Sequence, residues 1–302
     1  MTTDRRYLLH MITTAKNLSP FDVNMAYDAG WDACTPYVGV VLDEVRGLVQ
    51  DAIFSRGPKG VRRTGIFLGG RDAHLAMDML AAAKRAMVPP FEVSVFADPS
   101  GAFTTAGAMV ACVESALRKG HGAGLSGQRA LVFGGTGPVG SAAAVLAARA
   151  GADTVILSHR DLATAQQAAR ACSERYGVTL SAGDGSSDER VGGLLAEANV
   201  VFNAAAAGVQ VLSASQIGSA HRLKAACDVN AVPPAGIEGV GLMDKAAPLA
   251  ASRSGALGIG ALAVGNVKYR AQNRLLKRMH EADTPQYLGF VEAFDAAREH
   301  AD

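Results

Sequence analysis

In Gly135-Thr136-Gly137-Pro138-Val139-Gly140 three glycines fall at the spacing GxGxxG, after the apolar run 130–133 and before an alanine-rich stretch at 141–150. Strand, glycine turn and helix start, in that order, form the phosphate-binding device of dinucleotide sites. Gly135 permits the tight turn, and Gly137 lets backbone approach a pyrophosphate. Gly140 lets the helix pack close to the strand. Thr136, Pro138 and Val139 complete the segment that would line the diphosphate, with unpaired N–H groups of the helix start facing the anion. The bland alternative is a plain strand–helix turn.

The next apolar run, 154–157, ends in Ser158-His159-Arg160. An NAD site usually carries Asp or Glu there, about 20 residues past the glycines, to hold the ribose 2′-hydroxyl. Here Ser158 can donate a hydrogen bond and Arg160 can pair with a dianionic phosphate. These residues indicate NADP, with NAD as the weaker alternative. His159 could stack on adenine or help to hold the 2′-phosphate. Against this, His159 and Arg160 also read as exposed loop residues, with Asp161 capping the next helix.

Devices for proton relay and metal chemistry are missing. None of the six tyrosines is followed by Lys at the fourth position, and no HxxH, HExxH or Cys/His cluster offers zinc. There is no GxSxG nucleophile elbow either. An alcohol dehydrogenase would need the Tyr–Lys pair or the metal, so the pattern favours an oxidation that requires neither acid nor base.

The elements that must position these residues show in the apolar pattern. The first half carries strand-like runs at 7–12, 65–69 and 93–97, with helical patterns at 20–29, 42–53, 73–86 and 104–119. A Gly-rich polar segment at 121–127 reads as a linker. Strands then follow at 129–133, 154–157, 178–181, 200–203, 224–229 and near 256–259, with helices at 161–175 and 187–197 between them. Strands alternating with helices imply a doubly wound parallel sheet, with ligands at the carboxyl ends of the strands. The expected fold class is therefore α/β, with an N-terminal α/β substrate domain at 1–124 and a Rossmann-type NADP-binding domain at 125–265. Closing helices at 266–280 and 286–298 are expected to cross back onto the first domain.

The chain has 302 residues, 49% hydrophobic and 19% charged, with a net charge of +1. That balance gives no electrostatic footprint for nucleic acid or anionic membrane. The four cysteines, Cys34, Cys112, Cys172 and Cys227, lie far apart without a CxxC pair. Reduced, buried thiols in a cytoplasmic protein are the expectation. No apolar stretch reaches membrane-spanning length and no signal-peptide core follows the N-terminus.

Leu18-Ser19-Pro20-Phe21-Asp22-Val23-Asn24-Met25-Ala26-Tyr27-Asp28-Ala29-Gly30 resembles the N-terminal signature of the methylene-tetrahydromethanopterin dehydrogenases of methylotrophic bacteria. So do Phe96-Ala97-Asp98-Pro99-Ser100-Gly101-Ala102-Phe103-Thr104-Thr105 and the 134–140 loop. Asp228-Val229-Asn230-Ala231-Val232-Pro233-Pro234-Ala235-Gly236-Ile237 and Gly255-Ala256-Leu257-Gly258-Ile259-Gly260 extend the likeness over nearly the whole chain. The likeness is to the form that accepts both NAD and NADP. It implies hydride transfer from a methylene pterin to the nicotinamide, giving the methenyl form, in one-carbon oxidation of formaldehyde. It also implies a two-domain subunit with the pterin in the cleft, and homo-oligomeric assembly. The product cation is an amidinium stabilised by two nitrogen lone pairs, which agrees with the missing acid and base.

Within this resemblance, Asp22 is a candidate to bind pterin N–H groups or stabilise the cation, although Ser19-Pro20-Phe21-Asp22 also reads as a capping box. Asn24 is a neighbouring candidate. Asp98 ends a strand before Pro99, where turn chemistry explains it as well as substrate contact does. Thr104 and Thr105 could cap the following helix or reach the pterin. Asn230 is placed at the nicotinamide edge and Gly208 at the nicotinamide ribose. The family's substrate lysine, after Gly258-Ile259-Gly260, falls on Lys268, which with Arg270 could equally form a solvated helix face. Two rivals stay open: a methylene-tetrahydrofolate carrier for the same reaction, and a non-catalytic NADP-sensing protein.

Overall fold

Local chemistry sets where the elements start and stop. The computed structural model describes residues 6–302. In chain order the elements begin with β1 (Leu8–Thr13), α1 (Pro20–Asp28), β2 (Ala33–Tyr37), α2 (Val45–Phe54), α3 (Pro58–Val61), β3 (Thr64–Gly69), α4 (Ala73–Ala86), β4 (Ser94–Ala97) and α5 (Ala102–His121). They continue with β5 (Arg129–Phe133), α6 (Pro138–Arg149), β6 (Asp153–Ser158), α7 (Leu162–Tyr176), β7 (Leu180–Asp184), α8 (Asp188–Leu195), β8 (Val200–Asn203), α9 (Ala214–Ser219) and β9 (Ala225–Asp228). The last are β10 (Lys245–Pro248), β11 (Leu257–Ile259), α10 (Ala261–Glu281), β12 (Tyr287–Leu288) and α11 (Phe290–Arg298).

Asp72 caps α4 by accepting the Leu75 N–H at 2.9 Å, and Asp161 caps α7 by accepting the Thr164 N–H at 2.7 Å. Helix α6 starts at Pro138, three residues before the alanine run suggests. Proline is at ease in a first turn, where its missing N–H has no helical partner to lose.

The chain divides into two compact units. The first runs to Thr104 and takes in Tyr269–Ala296; the second comprises Thr105–Lys268 and Ala297–Asp302. All three changes of unit fall inside helices, α5, α10 and α11, and not in the segment 121–127 read as a linker. That segment closes α5: Gly122 adopts φ +59 and donates its N–H to the Arg118 carbonyl.

The first unit holds a five-stranded sheet in the order β12-β4-β3-β1-β2, parallel throughout. Strand β3 is buried along its whole length, the burial that helices on both faces impose. Phe67 of β3 meets Phe96 of β4 edge-to-face, with centroids 5.6 Å apart. Both outer strands escape the apolar pattern, since edge strands need no alternating core face. At β12 the chain is extended where a helix from 286 is expected. The Val95 N–H donates to the Gln286 carbonyl at 2.7 Å, and the Gln286 N–H donates to Ser94 Oγ at 3.1 Å. The sheet edge thus takes up the backbone groups a helix would use.

The second unit holds a seven-stranded sheet, β10-β11-β9-β8-β5-β6-β7. Its core gathers Leu131, Val155, Leu157, Val201 and Ala226. Six strands are parallel, but β10 runs antiparallel to β11, a departure from the all-parallel expectation. Only residues 249–256 join the two strands, too few for a parallel crossover of about a dozen residues or more. Chain order reverses between β1 and β3 in the first unit and between β5 and β8 in the second, so each sheet has a switch point where ligands gather at carboxyl ends.

Candidate dinucleotide site

The 134–140 turn lies at the switch point of the second sheet. Gly134 adopts φ +68, and a Cβ there would strike the backbone of Ala204 and Ala205 beyond β8. Its carbonyl accepts the Gly137 N–H at 2.9 Å, closing the turn. A Cβ on Gly140 would collide with the Gly134 carbonyl, and one on Gly135 would lie 2.8 Å from Ile156 Cγ2. Gly135 and Gly140 are therefore demanded by packing. The first bond of α6 runs from the Ser141 N–H to the Gly137 carbonyl at 2.9 Å. The N–H groups of Val139 and Gly140 precede that ladder and point out of the helix start, as an anion requires. Sequence reading passed over Gly134; its signal is the fourth glycine of the run, placed directly after the strand.

A cavity of about 440 Å³ opens beside this turn. Its wall includes Thr136 and Gly137 of the turn, Leu157 and His159 from the end of β6, and residues 204–206 and 209–211 after β8. It also takes in Gly185, Ser186, Ser187, Asp188 and Val191 after β7, which carried no assigned role in the sequence. Their only advance signal was a Gly/Ser-rich stretch following a strand.

Ser158 is buried, and its Oγ accepts the Arg160 N–H at 3.1 Å, which leaves the hydroxyl proton to be donated. His159 and Arg160 are exposed at the strand end. Asp161 is occupied as the cap of α7, and the Thr164 N–H and hydroxyl, followed by the nearby Arg160 charge, hold its carboxyl below the usual range. No acidic side chain of this segment is thus left to select a ribose 2′-hydroxyl, whereas donors and a cation are present. The turn, the open helix start and this strand end together fit a phosphorylated dinucleotide.

Asn230 is buried and its amide ties the loop together. Its Oδ1 accepts the N–H groups of Gly208 at 3.2 Å and Val232 at 3.0 Å, and its Nδ2 donates to the Pro234 carbonyl at 2.9 Å. That side chain builds the loop with its oxygen and one amide N–H, and the second amide N–H takes part in none of these three bonds. Gly208 adopts φ +75, which explains its glycine. Asp228, which sequence reading did not single out, is buried and accepts from the Asn230 N–H and the Ile237 N–H, each at 2.9 Å.

In the first unit, Asp22 sits in the first turn of α1, yet Ser19 makes no side-chain cap, so the capping box is not formed. Asp22 is instead buried and accepts from Gln272 Nε2 of α10 at 2.7 Å. Asn24 is exposed on the same helix. Asp98 is fully buried: Oδ1 accepts the Phe103 N–H at 2.9 Å and the Thr104 N–H at 3.2 Å, and Oδ2 accepts the Thr104 hydroxyl at 2.6 Å. Asp98 and Thr104 therefore pin the start of α5, the turn-chemistry side of their sequence reading. Between them Ser100 adopts φ +51, rare for a residue with a side chain, and donates to the Gly70 carbonyl at 2.7 Å. Thr105 on α5 and Lys268 on α10 are half-buried and belong to the second unit. Among the described residues, no three His, Cys, Asp or Glu side chains come together as a metal site, and no helix is long and apolar enough to cross a membrane.

A family model described as methylene-tetrahydromethanopterin dehydrogenase, N-terminal, matches residues 20–100. The NAD(P)-dependent methylenetetrahydromethanopterin dehydrogenase of Methylorubrum extorquens is 47% identical over 296 residues, 98% of this chain and 99% of that protein. The chain belongs to the methylenetetrahydromethanopterin dehydrogenase family. The Bifunctional protein MdtA of the same organism is 37% identical over 275 residues, 91% of this chain and 92% of that relative. Among solved structures, an NAD-dependent malic enzyme from Thermotoga maritima superposes with a TM-score of 0.57 at 12% identity, covering 97% of this chain and 84% of that one. That likeness bears on fold alone.

Proposed function

We propose that this protein is an NAD(P)-dependent methylenetetrahydromethanopterin dehydrogenase, an oxidoreductase that moves a hydride from the methylene bridge of the pterin to NADP, with NAD as the second acceptor. The observation that carries this reading is the end-to-end identity of 47% to the relative bearing that name. The glycine turn at the switch point supports it independently, because the packing of Gly134 and Gly140 leaves an open helix start beside a cavity of dinucleotide character.

The bound dinucleotide supplies a nicotinamide carbon that accepts the hydride. The chain's own part is binding and alignment, because the amidinium formed is stabilised by its nitrogens and no proton leaves an oxygen. Thr136, Val139 and Gly140 hold the diphosphate through backbone N–H groups, and Gly137, whose own N–H closes the turn, lets the backbone approach it. Gly135 and Pro138 shape the turn. Ser158, Arg160 and His159 take the 2′-phosphate and the adenosine side. The loop built by Asn230 and Gly208 forms the inner wall. Asp22 and Asn24 are the candidate pterin groups of the first unit, and Thr105 and Lys268 those of the second. In the cell the protein is a cytoplasmic homo-oligomer serving one-carbon oxidation.

The decisive experiment is anaerobic reduction of NADP and NAD by the purified protein, with methylene-tetrahydromethanopterin and methylene-tetrahydrofolate in parallel. NADPH formed with the methanopterin carrier supports the proposal. Turnover with the folate carrier alone moves the activity to the other pterin. NADP binding without turnover on either makes the protein a nucleotide sensor.

A further inference from the structure

The cavity beside the glycine turn is wider than a diphosphate and ribose require. It extends past the end of β6 to the end of β7, where Gly185, Ser186, Ser187, Asp188 and Val191 form its outer wall. The strand order places β6 between β5 and β7. With the diphosphate at the β5 turn and the 2′-phosphate at Ser158 and Arg160, the purine must lie beyond them, over the β7 end. There the cavity has an apolar floor, Leu157 of β6 and Val191 of α8, and one charged side chain, Asp188 at the start of α8.

The second carboxylate nearby is already engaged. Asp184 accepts the Ser186 N–H at 3.0 Å and is ion-paired with Arg190. Ser187 is engaged as well, its hydroxyl accepting the Arg190 N–H at 3.4 Å as the cap of α8. Asp188 follows on the first turn of that helix and its residue lines the cavity. A carboxylate only accepts hydrogen bonds. On adenine the exocyclic amino group is the donor of the base edge; its ring nitrogens N1, N3 and N7 are acceptors.

The geometry points to Asp188 as the residue that reads the purine, accepting a hydrogen bond from the adenine 6-amino group and rejecting a base with a 6-oxo group there. This rests on the dinucleotide reading of the same cavity. Asp188 is a specificity residue, about a nucleotide's length from the chemistry. Its loss acts on cofactor affinity and leaves the hydride step of the bound complex unchanged.

The test is calorimetric binding of NADP, of its hypoxanthine analogue and of adenosine 2′,5′-bisphosphate to the full chain and to Asp188→Asn. A charge-assisted hydrogen bond corresponds to about tenfold in affinity or somewhat more. The wild-type protein should therefore prefer NADP to the hypoxanthine analogue by about tenfold. Asp188→Asn should bind NADP and the bisphosphate about tenfold more weakly, and should lose or reverse the preference, because its amide can donate to a 6-oxo group. Asp188→Ala, on an exposed helix turn, should lose the preference without reversing it. An unchanged preference in both variants overturns the assignment. So does a loss seen with NADP and not with the bisphosphate, which carries no nicotinamide. Failure of the wild-type chain to bind NADP at all would instead overturn the dinucleotide reading itself.

Discussion

The carboxylate of Asp228 at the end of β9 accepts a hydrogen bond from Asn203 Nδ2 at the end of β8, at 2.9 Å and fully buried. Two neighbouring strand ends are thereby locked side by side. Asn203 in turn accepts the Ala205 N–H at 3.1 Å, on the backbone against which Gly134 packs. One carboxylate thus fixes the floor of the dinucleotide cavity. Asp228→Ala strands the Ile237 and Asn230 N–H groups and the Asn203 amide in the interior, at a cost of about 3 kcal/mol or more. Urea denaturation of the variant against the wild type measures it. A loss below about 1 kcal/mol would show that water replaces the carboxylate.

Gly134→Ala should be severe for two separate reasons. A positive φ costs a residue with Cβ about 1–2 kcal/mol, and this Cβ has backbone, not a flexible side chain, in its way. Overpacking adds about 1–3 kcal/mol. The expected result is a lowered thermal midpoint together with lost NADP binding, read by calorimetry. A variant that melts normally and still binds NADP would refute the cradle.

Arg160→Ala should weaken NADP much more than NAD. A charge-assisted contact to the 2′-phosphate corresponds to about tenfold to a hundredfold in affinity. The residue is exposed, so folding should not suffer. Equal losses for the two nucleotides would remove Arg160 from the 2′-phosphate site.

Asp98→Ala separates a structural from a substrate role. It leaves the Phe103 and Thr104 N–H groups without their acceptor inside the first unit and the Thr104 hydroxyl with only the Gly101 carbonyl at 3.3 Å, for a stability loss of about 3 kcal/mol. Below its melting transition, the folded variant should keep the wild-type KM for the pterin. A raised KM with unchanged stability would return Asp98 to the substrate site.

His10 gives the first unit a pH dependence. Burial, aided by the Arg56 charge, holds its imidazole below the ordinary value of 6.5. Between that lowered value and 6.5 the unfolded chain binds the extra proton and the native one does not, so stability rises with pH across this window and falls as pH drops through it. His280, lowered chiefly by burial, acts with the same sign. Thermal midpoints should decline below pH 6.5, and less steeply in His10→Gln. An identical slope in the variant would rule His10 out.

The amino-acid sequence by itself determined what is local. Apolar runs bounded by Gly, Pro and Asp mark most strands and helices, because their spacing reflects the period of each element. The GxGxxG spacing and the Ser158-His159-Arg160 strand end carry the proposal of a dinucleotide with a 2′-phosphate, because the geometry of a turn and the charge of a short segment need no partner from afar. Tertiary structure decided which polar groups remain available. Asp98 and Asn230 look like ligand contacts in the sequence, and the fold brings backbone donors to the carboxylate of one and the amide oxygen of the other. Asp22 looks like a helix cap and is instead held by Gln272, 250 residues away. The direction of β10, the edge strands β2 and β12, and the cavity wall after β7 were equally out of reach. Each depends on which segments become neighbours, and a buried polar group takes whichever partner packing supplies, at any separation along the chain.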